Sequence, residues 1–479
     1  MKKLLLLLAL LSTQLASAQI LSDSIPYPFY VIQENSENEV MSIDSGPAAL
    51  ELRLQMIRRA SKSIEVEYYS YNTDLASKIF TQELIQAAKR GVKVRVLIDK
   101  AKLVFVFHKY YAKLLDEHGI EVRYFNDASI LHFTKAIYRN HRKLLLIDGA
   151  EALTGGRNMG DEYFEMSAGL NYSDRDIHIK GPIVTPIQDS FNIYFEHKIS
   201  ERPKFPESTT NKKALAAAQF LSFTADELTI KKRMEQLGVT ELKKVKSHLC
   251  PVTTFSTDGP GGGIKGFYSQ KHADKTRFLR KTLIDKISQI DKNLLISTPY
   301  FLENDDSGEL IKHLLEKQAT ITISTNSLAA SDAAYMSALM YLKLKKWLKR
   351  GMHFYLHTGQ AIGEGEYLNS AVAAGRWSDH SKTHVYETST YSEVMIGTFN
   401  MHNRSSYYDS EMAVFCKGND EFTAEVKNSI MNRALKGIYI DKDKGALDPQ
   451  GNPIDRHGRS SSGTMKLLTI PAWFLRFML

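Results

Sequence analysis

The chain has 479 residues, of which 43% are hydrophobic and 24% charged, so its composition is globular and excludes whole-chain disorder, collagen and coiled coil. Two cysteines, Cys250 and Cys416, are too few for a disulfide-dense scaffold or a zinc cluster, and the sequence leaves open whether they pair. The net charge of +8 is compatible with an anionic partner, either a membrane surface or nucleic acid, and the mean hydropathy of −0.28 excludes a protein with many membrane spans.

The N-terminus has the three parts of a secretion signal. Residues 1–3 include two lysines, residues 4–11 are an apolar run too short to cross a bilayer, and residues 16–18 are Ala-Ser-Ala, a small-x-small cleavage site. We therefore expect a signal peptide over residues 1–18 and a mature protein in the periplasm, with peripheral membrane association; secretion and an uncleaved N-terminal anchor are the alternatives.

The body of the chain predicts a duplicated order of helix, strand, helix and strand. Both inner helices contain the string Glu-Leu-Ile, and strands that alternate with helices favour parallel-type sheets covered by helices. We predict an α/β fold of two similar lobes, each a mixed β-sheet flanked by helices; one long α/β sheet is the alternative. The expected elements are helices over residues 48–60, 77–89, 277–290 and 307–317, and strands over residues 63–69, 92–99, 293–298 and 320–324.

The lobe boundaries follow from composition. We expect the first lobe over residues 19–205 and the second over residues 276–440. Residues 206–275 combine a loop, a helical pattern and a glycine-rich stretch, which lacks the Gly-Lys-Ser/Thr ending of a phosphate loop and predicts a lid or surface loop. Residues 441–479 are turn-rich and then apolar, and the aromatic residues and cations of this tail predict contact with a membrane interface, with packing on a lobe as the alternative.

Each half carries a histidine and a lysine two residues apart. These pairs are His141 and Lys143 in the first half and His380 and Lys382 in the second. Residues two apart on a strand share one face, so each half presents an imidazole and an ammonium together. One such pair is usually a solvated strand, whereas two copies in the same context are specific.

The context of each pair is also repeated. An acid follows five residues after each lysine, Asp148 in the first half and Glu387 in the second. A turn with small residues then ends in an amide, Asn158 and Asn400. Three tyrosines near the end of the first strand, at residues 68, 69 and 71, could line a site, but we expect them in the core, because an aromatic strand face is more often packed than functional.

These motifs resemble the phospholipase D superfamily pattern, in which His-x-Lys-x4-Asp is followed by Gly-Gly-x-Asn or Gly-Ser-x-Asn. The resemblance covers residues 43–415. The strings at residues 155–164, 298–301 and 325–332 are similar to those of bacterial cardiolipin synthases, particularly the cardiolipin synthase C branch. Glu387 departs from the pattern, because the family has Asp there.

The resemblance implies an active site at the lobe interface and a covalent mechanism. It implies that His141 attacks phosphorus to form a phosphohistidine, and that His380 protonates the leaving alkoxide and then deprotonates the acceptor. Asp176 and Glu411 lie 35 and 31 residues after the two histidines and match family positions that orient the imidazoles.

The remaining motif residues have supporting roles. Lys143, Lys382, Asn158 and Asn400 neutralise and hydrogen-bond the phosphodiester, most strongly as charge develops on it. The resemblance implies that the acids after the lysines hold the motifs in place rather than react. No metal and no cofactor are required by this chemistry.

The sequence is compatible with three functions. The first is a phosphatidyl transferase that makes cardiolipin or a related lipid, and the second is a hydrolase of the same fold, either a phospholipase D or a secreted nuclease. The third is a non-catalytic lipid-binding relative, which the intact His-Lys pairs disfavour. We expect phospholipid substrates and a membrane surface as partners, and no nucleic acid; the sequence fixes neither the acceptor nor the oligomeric state.

Overall fold

The computed structural model describes residues 24–100, 105–126, 138–204, 222–261, 275–362 and 365–455. The predicted signal peptide, the apolar tail and the last two residues of the glycine-rich stretch, 262 and 263, lie outside the described residues. The helices in chain order are α1 (Gly46–Arg59), α2 (Leu75–Lys89), α3 (Phe105–Glu117), α4 (Val184–Glu196), α5 (Ala225–Leu242), α6 (Phe278–Ser288), α7 (Asp305–Glu316), α8 (Ala334–Lys349), α9 (Ser370–Ala374), α10 (Asn403–Tyr407) and α11 (Asp420–Ala434).

Within these residues, 17 strands form one sheet and two further strands form a small second sheet. The strands of the first half are β1 (Tyr30–Ile43), β2 (Ser63–Tyr68), β3 (Lys93–Asp99), β4 (Glu121–Phe125), β5 (Leu144–Ile147), β6 (Glu151–Gly155), β7 (Leu170–Ser173), β8 (Asp176–Lys180) and β9 (Ser200–Glu201). Those of the second half are β10 (His248–Thr257), β11 (Asn293–Ser297), β12 (Thr320–Asn326), β13 (His353–His357), β14 (Arg376–Asp379), β15 (Thr383–Glu387), β16 (Ser392–Gly397), β17 (Met412–Lys417), β18 (Ile438–Asp441) and β19 (Gly445–Leu447).

The two halves have the same topology, as predicted. In the first half the order β4-β3-β2-β5-β6-β8 is parallel from β4 to β2 and antiparallel from β2 to β8. In the second half the order β13-β12-β11-β15-β16-β17 repeats these directions strand for strand. The prediction of two similar lobes with mixed sheets is therefore confirmed.

The two sheets are joined edge to edge. Strand β1 pairs with β8 on one side and with β10 on the other, and β10 pairs in turn with β17. Hydrogen bonding is therefore continuous from one lobe to the other. The molecule has two similar lobes, and their sheets together form the one long sheet of the alternative prediction. An apolar cluster runs through this junction and includes Val40, Phe255, Ile396 and Val414.

Helix α1 illustrates how local signals set an element. The Ser45 side chain accepts a hydrogen bond from the Ala48 backbone N–H, and Pro47 stands in the first turn, where its missing N–H costs nothing. Its apolar side chains, among them Leu54 and Ile57, are buried in the core of the first half. An N-cap of this kind contributes about 1 kcal/mol, so packing supplies most of the helix's stability.

Helix α5, from the predicted inter-lobe segment, packs across α1. Met234 and Leu237 of α5 are buried in the first-half core, and Glu227 at its N-terminus accepts a hydrogen bond of 2.8 Å from Lys78 of α2. Among the described residues no helix covers α6 and α7, the counterparts of α1 and α2, in the same way. The two halves therefore differ in what lies outside these helices.

The two cysteines form a disulfide bond between neighbouring strands. Cys250 lies on β10 and Cys416 on β17, with their Cα atoms 5.5 Å apart. The bond ties the junction strand to the second-half sheet. Over the described residues, no helix has both the length and the apolar character that crossing a membrane requires.

Candidate active site

The site forms where the segment before each motif strand pairs with the other half. The His141 backbone N–H donates to the Ser410 carbonyl at 2.9 Å, and the His380 N–H donates to the Ser173 carbonyl at 2.8 Å. In the second sheet, β14 pairs with β7, so the segment that leads into His380 runs beside first-half residues. The acid that follows each of these serines is thereby brought to the histidine of the opposite half.

Each histidine contacts an acid from the other half. His141 Nδ1 lies 3.0 and 3.1 Å from the two carboxylate oxygens of Glu411, and His380 Nδ1 lies 2.6 Å from Asp174 Oδ2. Both acids are fully buried, and both histidines are nearly so. A carboxylate accepts the Nδ1 proton, which leaves Nε2 of each ring as the reactive nitrogen.

The prediction for Asp176 is corrected by this geometry. Asp176 contacts no histidine; its Oδ2 accepts hydrogen bonds from Arg53 Nη1 at 2.9 Å and from Arg157 Nη1 at 3.2 Å, all within the first half. Glu411 does orient a histidine, but it is the histidine of the opposite lobe rather than His380. Asp176 is a buried structural acid.

Strand register explains the correction. Gly155 of the first motif turn pairs with Asp176, whereas Gly397 of the second motif turn pairs with Ala413. The counterpart of Asp176 is therefore an alanine, and the acid two residues earlier, Asp174, takes the position equivalent to that of Glu411. Asp174 and Asp176 are two residues apart and so share one sheet face, which makes them look equivalent in the sequence. Spacing from the histidine therefore does not show which of the two acids faces a histidine.

The two lysines lie beside the histidines of their own motifs. Lys143 Nζ donates to the His141 carbonyl oxygen at 2.6 Å, and Lys382 Nζ donates to the His380 carbonyl and lies 2.8 Å from His380 Nδ1. Burial lowers the pKa of Lys143 to about 7 and that of Lys382 to about 8. Two ammonium groups in one buried site attract a phosphodiester, which carries the opposite charge.

The electrostatics of the two histidines differ. Burial lowers the pKa of His141 well below its usual value, and the charge of Lys143 lowers it further, so His141 is a neutral imidazole. Burial and Lys382 also lower the pKa of His380, but Asp174 opposes them. The acids differ in turn: burial raises the pKa of Glu411 to about 7, whereas the charges of His380 and Lys382 outweigh burial and hold the pKa of Asp174 below its usual value.

Hydroxyl groups fix Glu411. Thr398 Oγ1 donates to one carboxylate oxygen, and Ser405 Oγ donates to the other at 2.6 Å. Asn400 lies in the turn that follows Thr398, and its backbone N–H donates to Ser405 Oγ at 3.2 Å. The motif turn and the histidine's acid are therefore held by the same serine.

In the first half, Asn158 is fixed by different partners. Its Oδ1 accepts from the Ser70 backbone N–H at 3.2 Å, and its Nδ2 donates to the Tyr163 hydroxyl at 2.9 Å. Both motif amides, Asn158 and Asn400, are buried. Tyr163, which holds Asn158, packs against His380, and Ser405, which holds Asn400, also holds the acid of His141. The structure thus brings the predicted histidines, lysines and asparagines together at the lobe interface.

Aromatic rings line the histidines, and sequence reasoning missed them. Tyr69 packs edge-on against His141 with ring centroids 5.1 Å apart, and Tyr172 lies 4.7 Å from His380. Tyr163 also packs edge-on against His380 at 5.4 Å. Of the three strand-end tyrosines expected in the core, Tyr68 and Tyr71 are there, and Tyr69 faces the site. Strand alternation was the available signal, because residue 69 faces opposite to residues 68 and 70.

The motif acids Asp148 and Glu387 lie away from the histidines. Asp148 is at the far end of β5 from Lys143, about 17 Å along the strand, and accepts backbone N–H bonds from residues 61, 62 and 63. Glu387 accepts from Asn293 Nδ2 at 2.6 Å and pairs with Lys427 Nζ at 2.7 Å. Both acids anchor the ends of their strands, which agrees with a holding role and not with contact to the substrate.

The described residues contain no group of three or more histidine, cysteine, aspartate and glutamate side chains placed to hold a metal ion. The charged and titratable groups at the site include the two lysines, the two histidines and their acids, together with Asp409, which acts on His141, and Asp332, which acts on His380 and Lys382.

A family model described as "Cardiolipin synthase, PLD-like domain" matches residues 54–193 and 283–433, which together exceed half of the chain. The chain belongs to this family. The two matched segments each contain one His-Lys motif and its asparagine, so the family covers both halves of the composite site. Cardiolipin synthase-like proteins are phosphatidyltransferases of the phospholipase D superfamily, and the chain is an enzyme of that class.

Individual relatives agree with the family. Cardiolipin synthase C of Escherichia coli (strain K12) is 27% identical over 446 residues, covering 86% of this chain and 87% of the relative. An uncharacterized protein of Helicobacter pylori (strain ATCC 700392 / 26695) is 26% identical over 436 residues, covering 85% and 82%. The crystal structure of phosphatidylserine synthase from Haemophilus influenzae Rd KW20 superposes with a TM-score of 0.62 at 14% identity, covering 97% of this chain and all of that one. At that identity the likeness shows the fold alone.

Proposed function

We propose that this enzyme transfers phosphatidyl groups between phospholipids through a phosphohistidine intermediate, and that its product is cardiolipin. The observation that carries the proposal is the crosswise pairing of two histidines with acids of the opposite lobe, beside two buried lysines. This arrangement supplies a nucleophile, a proton carrier and positive charge at one phosphorus atom. The name of one relative, cardiolipin synthase C, and the description of the family model support a phospholipid as the substrate.

In the first step, His141 Nε2 attacks the phosphorus of the donor lipid. An N–P bond forms, the P–O bond to the headgroup breaks, and the Nε2 proton of His380 passes to the departing oxygen. In the second step, His380 Nε2 takes the proton of the acceptor hydroxyl, whose oxygen attacks phosphorus and breaks the N–P bond. Lys143 and Lys382 stabilise the charge on the phosphoryl oxygens in both steps.

The different environments of the rings support this division of roles. A nucleophile must be neutral, and burial beside Lys143 makes His141 so. A proton carrier needs a partner that stabilises its imidazolium, and the ionised carboxylate of Asp174 at 2.6 Å gives His380 such a partner. Burial lowers the pKa of both rings, and the close carboxylate of Asp174 opposes this shift at His380, which favours His380 as the proton carrier of the two.

We also propose that the protein acts outside the cytoplasm at a membrane surface. The signal-like residues 1–18 and the disulfide between Cys250 and Cys416 support export, because disulfides persist in oxidising compartments. The apolar tail, with its aromatic residues and cations, supports contact with the membrane.

The proposal is tested by mass spectrometry of the lipids that purified protein produces from phosphatidylglycerol vesicles. We expect cardiolipin and free glycerol, and neither product from His141→Ala. The matched control is His178→Ala, which removes a buried histidine that contacts Glu151 outside the site and should retain activity. Phosphatidic acid as the sole lipid product would identify a hydrolase, and cleavage of nucleic acid with intact lipids would identify a nuclease; either result would overturn the proposal.

A further inference from the structure

An apolar crevice lies between α6 and α7 of the second half. It has an empty volume of about 410 Å³, its open mouth included. Most of its wall is apolar, and several of the side chains that form it are only partly buried, although they pack against the second-half core. The apolar wall includes Leu283, Ile284, Leu302, Leu310, Phe399 and Met401. Partly exposed apolar side chains in a concave slot indicate a site for an apolar ligand.

The first half shows that the crevice is not a requirement of the fold. There α5 packs across α1 and buries Met234 and Leu237 in the first-half core. The equivalent helices of the second half, α6 and α7, have no such covering element among the described residues. Within the part of the chain that the structure describes, the duplicated architecture therefore covers this position in one lobe and not in the other.

The crevice is continuous with the catalytic turn. Phe399 and Met401, which line it, flank Asn400 in the chain. His402 lines it too, and its Nδ1 accepts the Ser405 backbone N–H at 3.2 Å. That bond places the proton of the neutral ring on Nε2, so the crevice begins with an N–H donor next to the motif asparagine. The adjoining Asn304 and Ser406 make the rest of this end polar.

We propose that this crevice binds the first part of one acyl chain of the phospholipid donor, with the phosphate at the two histidines. The proposal rests on the proposed function and adds a location for the apolar part of the substrate. A chain that enters beside Asn400 leaves its polar glycerol end at His402, Asn304 and Ser406, and places its methylenes against Leu302 and Leu310. Apolar contacts of this kind position the phosphorus for attack, because they use binding energy remote from the reacting bond.

The test uses binding rather than turnover, so that it does not depend on the identity of the products. The probes are butyl, hexyl and octyl phosphate below their micelle concentrations, titrated into the full-length protein in a calorimeter. Each buried methylene contributes about 0.8 kcal/mol, so we expect Kd to fall about fourfold per added methylene until the crevice is full. A negative heat-capacity change should grow with chain length.

Substitutions in the crevice distinguish binding at this site from nonspecific binding to other apolar surface. Leu310→Trp fills the crevice, and we expect it to abolish the dependence of Kd on chain length while butyl phosphate binds within about twofold of wild type. Leu342→Trp on α8 is the matched control, because Leu342 is 55% exposed and does not line the crevice. It should retain the chain-length dependence of the wild type.

Two results would overturn the proposal. They are a Kd for the wild type that does not change with chain length, and the same dependence in Leu310→Trp as in the wild type, the latter with or without a loss of stability. The second result together with a clear loss of stability would mean that another part of the protein fills the crevice. Failure of the proposed function is read separately, from the lipid products of vesicles.

Discussion

Replacing Asp174 by asparagine tests the crosswise pairing of the histidines. Asp174 Oδ2 lies 2.6 Å from His380 Nδ1, and both side chains are buried. Asp174→Asn removes the charge of a charge-assisted hydrogen bond, which is worth about 1.5–3 kcal/mol. Since about 1.4 kcal/mol corresponds to a tenfold change in rate, we expect turnover to fall by about 10- to 150-fold. An amide that donates to Nδ1 would also favour the wrong imidazole tautomer and deepen the loss.

The control for this experiment is Asp176→Asn, two residues away. Asp176 is paired with Arg53 and Arg157 and contacts no histidine. Loss of one member of a buried ion pair costs about 3–5 kcal/mol, so this variant should lose stability while its folded molecules react at a rate close to that of the wild type. Asp148→Asn offers a second control, because Asp148 accepts backbone hydrogen bonds at the far end of β5.

The assay is single-turnover cleavage of a short-chain, water-soluble phosphodiester, combined with denaturant unfolding of each variant. The expected pattern is a stable but slow Asp174→Asn and a less stable but active Asp176→Asn. A slow Asp176→Asn with unchanged stability, together with an Asp174→Asn as fast as the wild type, would refute the crosswise geometry.

Three further predictions concern charge, the disulfide and the second motif. An ammonium group is charged below its pKa and neutral above it, and the pKa values of Lys143 and Lys382 are about 7 and about 8. We therefore expect kcat/KM to fall as pH rises through 7 to 8, and a kcat/KM that stays level to pH 9 would contradict this. Reduction of the Cys250–Cys416 bond should lower the free energy of unfolding by about 2–4 kcal/mol in denaturant titrations with and without reductant, and equal midpoints would contradict it. Glu387→Asp should keep activity within about tenfold, because Glu387 only pairs with Asn293 and Lys427; a collapse of the rate with the fold intact would indicate a direct role.

Local patterns in the sequence predicted the four helices and four strands of the duplicated unit to within two residues of their observed bounds. The helix expected over residues 77–89 is Leu75–Lys89, and the strand expected over residues 293–298 is Asn293–Ser297. Capping residues and hydrophobic periodicity act within a few residues, so they are visible in the sequence. The edge-to-edge junction of β1 and β10 was not visible, because it pairs strands more than 200 residues apart and no local signal specifies that partner.

The same distinction applies to the site. The histidines, lysines and asparagines belong to short repeated motifs, and the structure brings them together. The acid partners depend on which lobe lies opposite each histidine and on strand register, so spacing from the histidine selected Asp176 where the structure has Asp174. Tyr69 differs, because it lies in the same half as His141 and strand alternation turns it to the face opposite Tyr68, where it meets His141.

The central claim is a covalent phosphatidyl-enzyme on His141, attacked and released with the help of His380. It is tested most directly by acid-free quenching of the enzyme with a phospholipid substrate, followed by mass spectrometry of the proteolysed protein. We predict a phosphatidyl adduct on the peptide that contains His141, its accumulation in His380→Asn with an activated substrate, and its absence in His141→Ala. An adduct on His380, or turnover in His141→Ala, would contradict the account.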